Sequence, residues 1–358
     1  MLTDVISEQD LTKYNTCAKI CGTIMTEIVS KIQSSELLNT QALNEYGDNR
    51  IKEECSKIYK REIIKGIAFP TSISLNNCVS NYIYENGNDE FNMIKPGDVV
   101  KIDLGVNLGG CISVLGKTII YIQENLQENL QENEDQNKKN EDIKKYSTYL
   151  DLLDELSECI PKMMIPGNLN DDVKIMIESK CTQAGCFPVE NSVSYQHLNG
   201  QLNTFESKYI ITNYQKYYDE DDLIVLENLC FDFEIGDVYT INLTIIPNDY
   251  NRDDETTHDY IEPHESHIYR FNDNYVNLRV KMAREFYTNA KKKHGTNAFN
   301  GLEYKQDSKT RYGIRLNLEN CILEEYPIMY SKDKYPVFSK SFTVIVGDEK
   351  CILLKYPI

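Results

Sequence analysis

Cysteines at short spacing are the first candidates for chemistry in this 358-residue sequence. Cys17 and Cys21 stand four residues apart within residues 7–34, where apolar residues recur at helical spacing and Ser7 is a suitable N-cap. A zinc site would need two further ligands nearby, and none is evident. We therefore interpret both cysteines as small core residues.

Three histidines form a second candidate site in the segment DETTHDYIEPHESH, at His258, His264 and His267. Imidazole and carboxylate groups both bind zinc, but this spacing matches no helical metal motif. Pro263 indicates a loop, so a solvated loop is the favoured interpretation. The sequence contains no G-x-x-x-x-G-K-[S/T], G-x-G-x-x-G or G-x-S-x-G motif, so nucleotide-hydrolase and serine-hydrolase activities have no motif support.

A basic segment at 270–315 contrasts with the rest of the chain. It contains eleven basic and four acidic residues, a net charge of +7, while the whole chain carries −18. Aromatic residues are interleaved with the cations, a combination that suits an RNA or DNA surface, but a solvated helix face is an equally good interpretation. The candidate nucleic-acid contacts are Arg279, Lys281, Arg284, Lys291, Lys292, Lys293, Lys305, Lys309, Arg311 and Arg315.

The elements around these residues indicate an α+β arrangement with two similar halves. The polar repeat tract at 123–145 cannot bury enough apolar surface to order itself, which predicts a disordered insertion. The other predicted elements are helices at 7–34, 49–65, 147–164 and 170–185, and strands at 99–108, 111–122, 238–247, 341–347 and 350–356.

Composition restricts the compartment and the partners. The charge of −18 disfavours nucleic acid and anionic membrane except at a local basic patch. No apolar run approaches the ~20 residues of a membrane helix, and the acidic start is unlike a secretory signal. Eleven cysteines without a C-x-x-C pair favour reduced thiols, so we expect a cytoplasmic and nuclear or nucleolar protein without a membrane partner.

Several strings together resemble the methionine aminopeptidase (peptidase M24) fold, and specifically its proliferation-associated, ErbB-receptor-binding branch. They are GIAFPTSISLNNC (66–78), PGDVVKIDLGV (96–106), PGN (166–168) and the C-terminal FTV. The resemblance implies a pseudo-symmetric "pita-bread" fold with an inserted small helical, winged-helix-like subdomain. The implied units are halves at 1–122 and 146–269, the insertion at 123–145, a basic subdomain at 270–330 and closing strands at 331–358.

The resemblance also implies positions for a two-metal site, which in active members uses two Asp, one His and two Glu. Asp103 matches the first Asp. The remaining ligand positions and the substrate-contacting His are replaced, which leaves one carboxylate for two divalent cations and argues against any bound metal. The replacements are Val114 for the second Asp, Tyr195 for the ligand His, Asn242 and Ser341 for the two Glu, and Asn81 for the substrate-contacting His.

The resemblance therefore implies a non-enzymatic protein that binds RNA or the ribosome and protein partners, in ribosome biogenesis, translation or growth control. It implies no cofactor. The alternative is a metal-dependent methionine aminopeptidase with a rewired site, whose ligands would be drawn from residues near Asp103. A protein-interaction scaffold without a nucleic-acid role is a third possibility.

Overall fold

A computed structural model describes residues 6–83, 92–122, 134–190, 192–204, 206–213, 230–248, 260–272, 274, 276–331, 335–354 and 356. Two sheets and three pairs of helices organise this part of the chain. The strands, numbered along the chain, are β1 (Lys65–Leu75), β2 (Cys78–Ser80), β3 (Val99–Leu108), β4 (Cys111–Ile120), β5 (Cys186–Pro188), β6 (Ser192–Gln196), β7 (Tyr209–Thr212), β8 (Val238–Pro247), β9 (Tyr260–Phe271), β10 (Phe299–Asn300), β11 (Leu323–Ser331), β12 (Phe338–Ile345) and β13 (Ile352–Leu353). The nine-stranded sheet has the strand order β1-β3-β4-β12-β8-β6-β7, with β5 beside β8 and β13 beside β12. A second, four-stranded sheet has the order β10-β9-β11-β2.

The first half packs two helices on three strands. Helix α1 (Glu8–Gln33) begins where the Ser7 side chain accepts a hydrogen bond from the Asp10 amide, as the sequence predicts. Its face with Ile24, Met25 and Ile28 is buried against the sheet. The other elements of this half are α2 (Thr40–Lys57), β1 (Lys65–Leu75), β2 (Cys78–Ser80), β3 (Val99–Leu108) and β4 (Cys111–Ile120).

The second half repeats this plan. Helices α3 (Glu134–Met163) and α4 (Asn170–Gln183) pack on β8 (Val238–Pro247) and β12 (Phe338–Ile345) through a separate apolar cluster. The antiparallel pairing of β4 with β12 joins the two halves into one sheet. The smaller strands are β5 (Cys186–Pro188), β6 (Ser192–Gln196), β7 (Tyr209–Thr212) and β13 (Ile352–Leu353).

Side-chain alternation gives the large sheet two different faces. On β3, Ile102, Leu104 and Val106 point to the helices and join their core, so the residues between them face the other way. On β8, Ile241 and Leu243 do the same in the second half. The face away from the helices lies under the second sheet, and it is the face that carries the candidate site.

The second sheet supports two basic helices. It consists of β9 (Tyr260–Phe271), β10 (Phe299–Asn300), β11 (Leu323–Ser331) and β2. Helices α5 (Lys281–His294) and α6 (Ser308–Glu319), with a 3₁₀ turn at Leu302–Tyr304 between them, pack against it through Ala283, Phe286 and Ile314. The basic segment therefore shares a sheet with β2 of the first half, and β9 runs across the predicted boundary at 269/270.

Three expectations from the sequence are corrected here. Helix α2 begins nine residues before the predicted 49, because the Asn39 side chain caps it by accepting from the Ala42 amide. Residues 134–145, predicted to be disordered, belong to helix α3. The C-terminal part of α3 is held by the burial of Tyr149 and Leu156, and helix-favouring residues continue the helix towards its N-terminus. Residues 123–133 of that tract lie outside the described part.

The third correction concerns the histidine segment, which is strand β9 and not a solvated loop. His264 lies within β9, and the His267 ring is buried beside the Lys305 ammonium, with 2.8 Å between Nδ1 and Nζ. Pro263 fits because strand β9 pairs with β11 through register shifts near His264. His258 lies outside the described residues.

In the described part of the chain, no helix combines the length and the apolar character that crossing a membrane requires.

The close packing of α5 on α6 depends on Gly313. A Cβ placed there would lie 2.9 Å from the Met282 carbonyl oxygen and 3.0 Å from the Phe286 Cβ. We expect Gly313→Val to push the helices apart and to lower the free energy of unfolding by about 1–3 kcal/mol, measured by urea denaturation. The control Asn289→Ala lies on the exposed side of α5 and should stay within about 0.5 kcal/mol of the parent. Identical urea midpoints for Gly313→Val and the parent would contradict this packing.

Candidate functional site

A cavity of about 310 Å³ lies between the two sheets, on the face of the large sheet opposite the helices. All six positions that the resemblance pointed to line this one cavity, although they come from six different strands or strand ends. They are Asn81, Asp103, Val114, Tyr195, Asn242 and Ser341. The structure thus brings the predicted positions together. Their correspondence to ligand positions stays a prediction.

Strand register explains this convergence. Asp103 of β3 pairs with Gly116 of β4, Gly116 pairs with Ser341 of β12, and Ser341 pairs with Asn242 of β8. Residues paired across adjacent strands point to the same face. A Cβ at Gly116 would lie 2.3 Å from the Asp103 Oδ1 and 2.8 Å from the Ser341 Oγ. The missing side chain at Gly116 is therefore what gives the two neighbouring side chains their space.

Asp103 is the carboxylate in the row of paired residues Asp103, Gly116, Ser341 and Asn242, and its surroundings favour its neutral form. Burial raises the pKa of Asp103 to about 6, and the positive charge of Lys101 only partly opposes this. The Lys101 ammonium is fully buried and donates to the Asn76 carbonyl at 2.8 Å. Burial lowers the pKa of Lys101 to about 8, so the ammonium is still mostly protonated at pH 7. A fixed cation thus lies two residues from Asp103 on the same strand.

The other positions on the row are neutral and partly engaged. The Asn242 amide Nδ2 donates to the Val193 carbonyl at 2.9 Å, and the backbone N–H of Asn242 donates to the Ser194 Oγ at 2.9 Å. Val114 pairs with Gly105 and contributes an apolar side chain to the cavity wall. The Asn242 hydrogen bonds hold strand β8 to strand β6, so the Asn242 side chain is committed to the fold.

Tyr195 occupies the wall where the resemblance places the ligand histidine. Burial strongly raises the pKa of its phenol, with hydrogen bonds to Asn242 and Thr240 opposing the shift, so it stays neutral. His197 follows two residues later but does not line the cavity. Its Nε2 lies 2.7 Å from the Thr240 Oγ1, and burial lowers its pKa to about 3. Asn81 adopts a left-handed conformation (φ 66°) and donates to the Pro327 carbonyl at 2.9 Å.

Sequence reasoning missed several residues of the cavity wall. Glu190 is a second carboxylate there and is 3% exposed. Tyr326 and Met329 of β11 close the cavity from the second sheet, and the buried Tyr326 hydroxyl has no hydrogen-bond partner in the described part. The pairing of β11 with β2 and the packing of the second sheet on Ala68 and Phe69 bring these residues over the large sheet, and nothing local in the sequence indicates these contacts.

The basic segment presents most of its charges to solvent. Two predicted contacts are only partly exposed: the Lys291 ammonium lies 5.6 Å from the Phe271 ring centre, and Lys305 contacts His267. Three exposed members form ion pairs, Lys293 with Glu303 at 2.5 Å, Arg315 with Glu319 at 2.8 Å and Lys281 with Glu285 at 3.5 Å. The exposed members of the predicted set are Arg279, Lys281, Arg284, Lys292, Lys293, Lys309, Arg311 and Arg315.

The fold and the cavity agree with a match to a known family. A model of metallopeptidase family M24 matches residues 12–276. The chain belongs to this family. The predicted pita-bread fold is confirmed, with two halves of paired helices on one sheet.

Several curated proteins align with nearly the whole length of this chain. Proliferation-associated protein A of Dictyostelium discoideum is 25% identical over 352 residues, which cover 96% of this chain and 82% of that protein. ERBB-3 binding protein 1 of Solanum tuberosum is 25% identical over 347 residues, 96% of this chain and 80% of that one. The curved DNA-binding protein of Schizosaccharomyces pombe is 24% identical over 351 residues, 97% and 83% of the two chains. The first two names confirm the predicted proliferation-associated, ErbB-receptor-binding branch.

Solved structures show the same fold. A thermophilic Arx1 has a TM-score of 0.76 at 19% identity, with 98% of this chain and 92% of that chain covered. A methionine aminopeptidase from Rickettsia prowazekii has a TM-score of 0.52 at 13% identity, with 98% of both chains covered.

The M24 fold implies two metal ions, and the residues present do not fit them. Two divalent cations need several carboxylates to offset their repulsion. The row offers one carboxyl group with a raised pKa, a hydroxyl, an amide whose nitrogen is bonded elsewhere, and the Lys101 cation nearby. In the described part of the chain, no group of three His, Cys, Asp or Glu is arranged to hold a metal. We therefore derive no chemistry through metals.

The raised pKa of Asp103 predicts a specific pH dependence. An exposed Asp ionises near pH 4, whereas Asp103 keeps its proton to about pH 6 in the folded protein. The free energy of unfolding therefore falls as the pH rises from about 4 to about 6, and this loss is complete above that range. Asp103→Asn should raise the free energy of unfolding at pH 7 by about 1–3 kcal/mol and leave it unchanged at pH 4, measured by thermal unfolding. The lower value allows for solvent screening at the half-buried Asp103 side chain.

The matched control is Asp151→Asn, on the exposed side of α3. It should follow the parent at every pH, within about 0.5 kcal/mol. Asp48, whose pKa burial also raises to about 6, is present in all three proteins, so the difference between variants isolates Asp103. A loss of stability in Asp103→Asn at pH 7 would refute this account of the cavity.

Proposed function

We propose that the protein is a non-enzymatic member of family M24 that binds RNA through helices α5 and α6. We expect this RNA to be part of the ribosome. The observation that carries this proposal is a group of cations that are exposed and make no ion pair or side-chain hydrogen bond in the described part of a strongly acidic chain. They are Arg279, Lys292, Lys309 and Arg311. Unpaired cations can neutralise phosphates without first giving up a partner.

Helical spacing aligns these charges with others. On α5, Lys281, Arg284 and Lys292 fall on one stripe, opposite the buried Ala283, Phe286 and Ala290. On α6, Arg311 and Arg315 are four residues apart. Tyr312 lies between them and is 46% exposed. An exposed tyrosine on a helix that carries exposed arginines suits unpaired bases as well as phosphates.

The names of relatives support recognition of a macromolecule. One relative is named for binding curved DNA and another for binding ERBB-3. We propose RNA as the nucleic acid, as the resemblance of the sequence implies, and protein partners as a second interaction. The cellular role proposed with it is ribosome biogenesis, translation or growth control, in the cytoplasm and the nucleus or nucleolus.

The proposal includes the loss of peptidase activity. Asp103 cannot by itself compensate two divalent cations, and it favours its neutral form up to about pH 6. The competing function is a rewired metallopeptidase, which would recruit Glu190 from the cavity wall as a second carboxylate. The two proposals differ in metal content and in turnover.

A metal-loading experiment separates them. We expect protein incubated with Co²⁺ or Mn²⁺ and then dialysed to keep less than about a tenth of an equivalent of metal, because one carboxylate gives too little charge compensation. It should release no methionine from a Met-Ala-Ser peptide. Metal is measured by mass spectrometry, with an active methionine aminopeptidase as the positive control. Stoichiometric metal, together with turnover that Asp103→Ala abolishes, would establish the rival function.

RNA binding tests the cationic helices. We expect the fourfold variant Arg279→Gln, Lys292→Gln, Lys309→Gln, Arg311→Gln to bind a ribosomal RNA fragment about tenfold or more weakly near physiological salt. The slope of log K against log[salt] should fall by about 0.7–0.9 for each phosphate that the variant no longer neutralises. Fluorescence-anisotropy titrations at several salt concentrations measure both quantities.

The control variant makes the same change of net charge elsewhere. Lys19, Lys144, Lys162 and Lys350 are exposed on other elements, and their replacement by Gln should leave the slope unchanged. Equal reductions of affinity in the two fourfold variants would mean that only the net charge matters, and the assignment to α5 and α6 would be wrong. A DNA duplex that binds more tightly than RNA would replace RNA as the ligand.

A further inference from the structure

We infer that the RNA-binding surface does not end at α5 but continues onto helix α2 and the loop that follows it. The residues are Lys52, Lys60 and Arg61, which we call the α2 patch. This inference rests on the proposed function and adds a second contact region from the other end of the sequence. The ligand is the phosphate backbone of RNA, bound by charge without sequence preference.

The hairpin of β3 and β4 brings the two regions together. The Asn107 side chain of β3 donates to the Asn297 Oδ1, just beyond the end of α5, at 2.7 Å. Two residues further on, the Gly109 amide donates to the Ile64 carbonyl, in the loop after α2, at 2.7 Å. Both segments therefore meet the same end of one hairpin.

A second link runs from α2 to the end of α5. Asp48 of α2 accepts a hydrogen bond from the Thr71 amide at 2.8 Å, and the charges that act on its carboxyl group include Lys52 and Glu303. Glu303 is ion-paired with Lys293 of α5 at 2.5 Å. Lys52 and the Lys293–Glu303 ion pair are therefore both near the Asp48 carboxyl group.

The glutamates around the α2 patch pair with other cations. Glu53 and Glu54 both pair with Arg50 and Lys57, at 2.5 to 3.0 Å, and Glu62 pairs with Lys13 at 2.8 Å. The cations of the α2 patch are exposed and form no ion pair or side-chain hydrogen bond in the described part of the chain. Their charges are therefore available to an external anion.

Distance along the surface determines which RNA can reach both regions. An RNA duplex is long and stiff, and its two phosphate strands can contact basic groups on separate elements. The two regions meet at the C-terminal end of α5, ~20 Å from the start of that helix, so a short duplex seated at Arg279 and Arg284 would not extend to the α2 patch. The inference therefore predicts an effect of the α2 patch that grows with the length of the RNA.

The test compares three variants of the full chain on a short and a long RNA duplex, by anisotropy across salt concentrations. Lys52→Gln, Lys60→Gln, Arg61→Gln should weaken binding of the long duplex about three- to tenfold and lower its salt slope by about 2, with little change on the short duplex. Lys19→Gln, Lys162→Gln, Lys350→Gln makes the same charge change on other surfaces and should match the parent. The fourfold α5 and α6 variant should be weak on both duplexes.

The outcomes separate this inference from the proposed function. If the fourfold variant is weakened and the α2 variant is not, RNA binding through α5 and α6 stands and the extension is wrong. If neither variant is weakened, both fail. Ile63, which is 96% exposed beside the α2 patch, provides a further variant. An effect of Ile63→Ser on RNA binding equal to that of the charge variant would also overturn the inference, because it would indicate an apolar contact.

Discussion

The two-residue period of the β-strand is the constraint on which the cavity depends. It turns Ile102 and Leu104 towards the helices and leaves Asp103 on the opposite face. Antiparallel register then places Gly116, Ser341 and Asn242 on the same row. A slip of one residue in any of these strands would bury a polar side chain in a helix-packed core, so the apolar faces fix the geometry of the polar one.

The chemistry of that row follows from charge balance. Active relatives with this fold are expected to fill it with carboxylates that metal ions compensate. Here Gly116, Ser341 and Asn242 carry no charge, and the positive charge of the buried Lys101 acts on Asp103 from two residues away on the same strand. An internal ammonium limits the cost of burying a carboxylate without an exogenous ion. Lys101 offsets that cost only in part, because the pKa of Asp103 is still raised to about 6. The unpaired cations of the basic segment lie on or beside the outer helices.

Much of this arrangement could be predicted from the sequence. The strands at 99–108 and 238–247 match the structure, because clean alternation and a Gly-Gly or Pro boundary define them locally. The resemblance led to six residues that share one cavity. The sequence could not indicate that Lys291 and Lys293 are engaged, since their partners Phe271 and Glu303 come from other elements. It also missed Glu190 and Tyr326, which reach the cavity only through non-local strand pairing.

Strand β11 connects the cavity with the basic helices α5 and α6. Its residues Tyr326 and Met329 form one wall of the cavity, while Leu323 of the same strand packs under the basic helices. Its neighbour β9 carries Phe271, against which both Phe286 and Tyr287 of α5 pack. The basic helices therefore pack on the same sheet that closes the cavity. The positions of Arg311 and Lys292 relative to the main sheet are set by the same strand pairing that closes the cavity, so the sheet that roofs the cavity also holds the surface that we propose binds RNA.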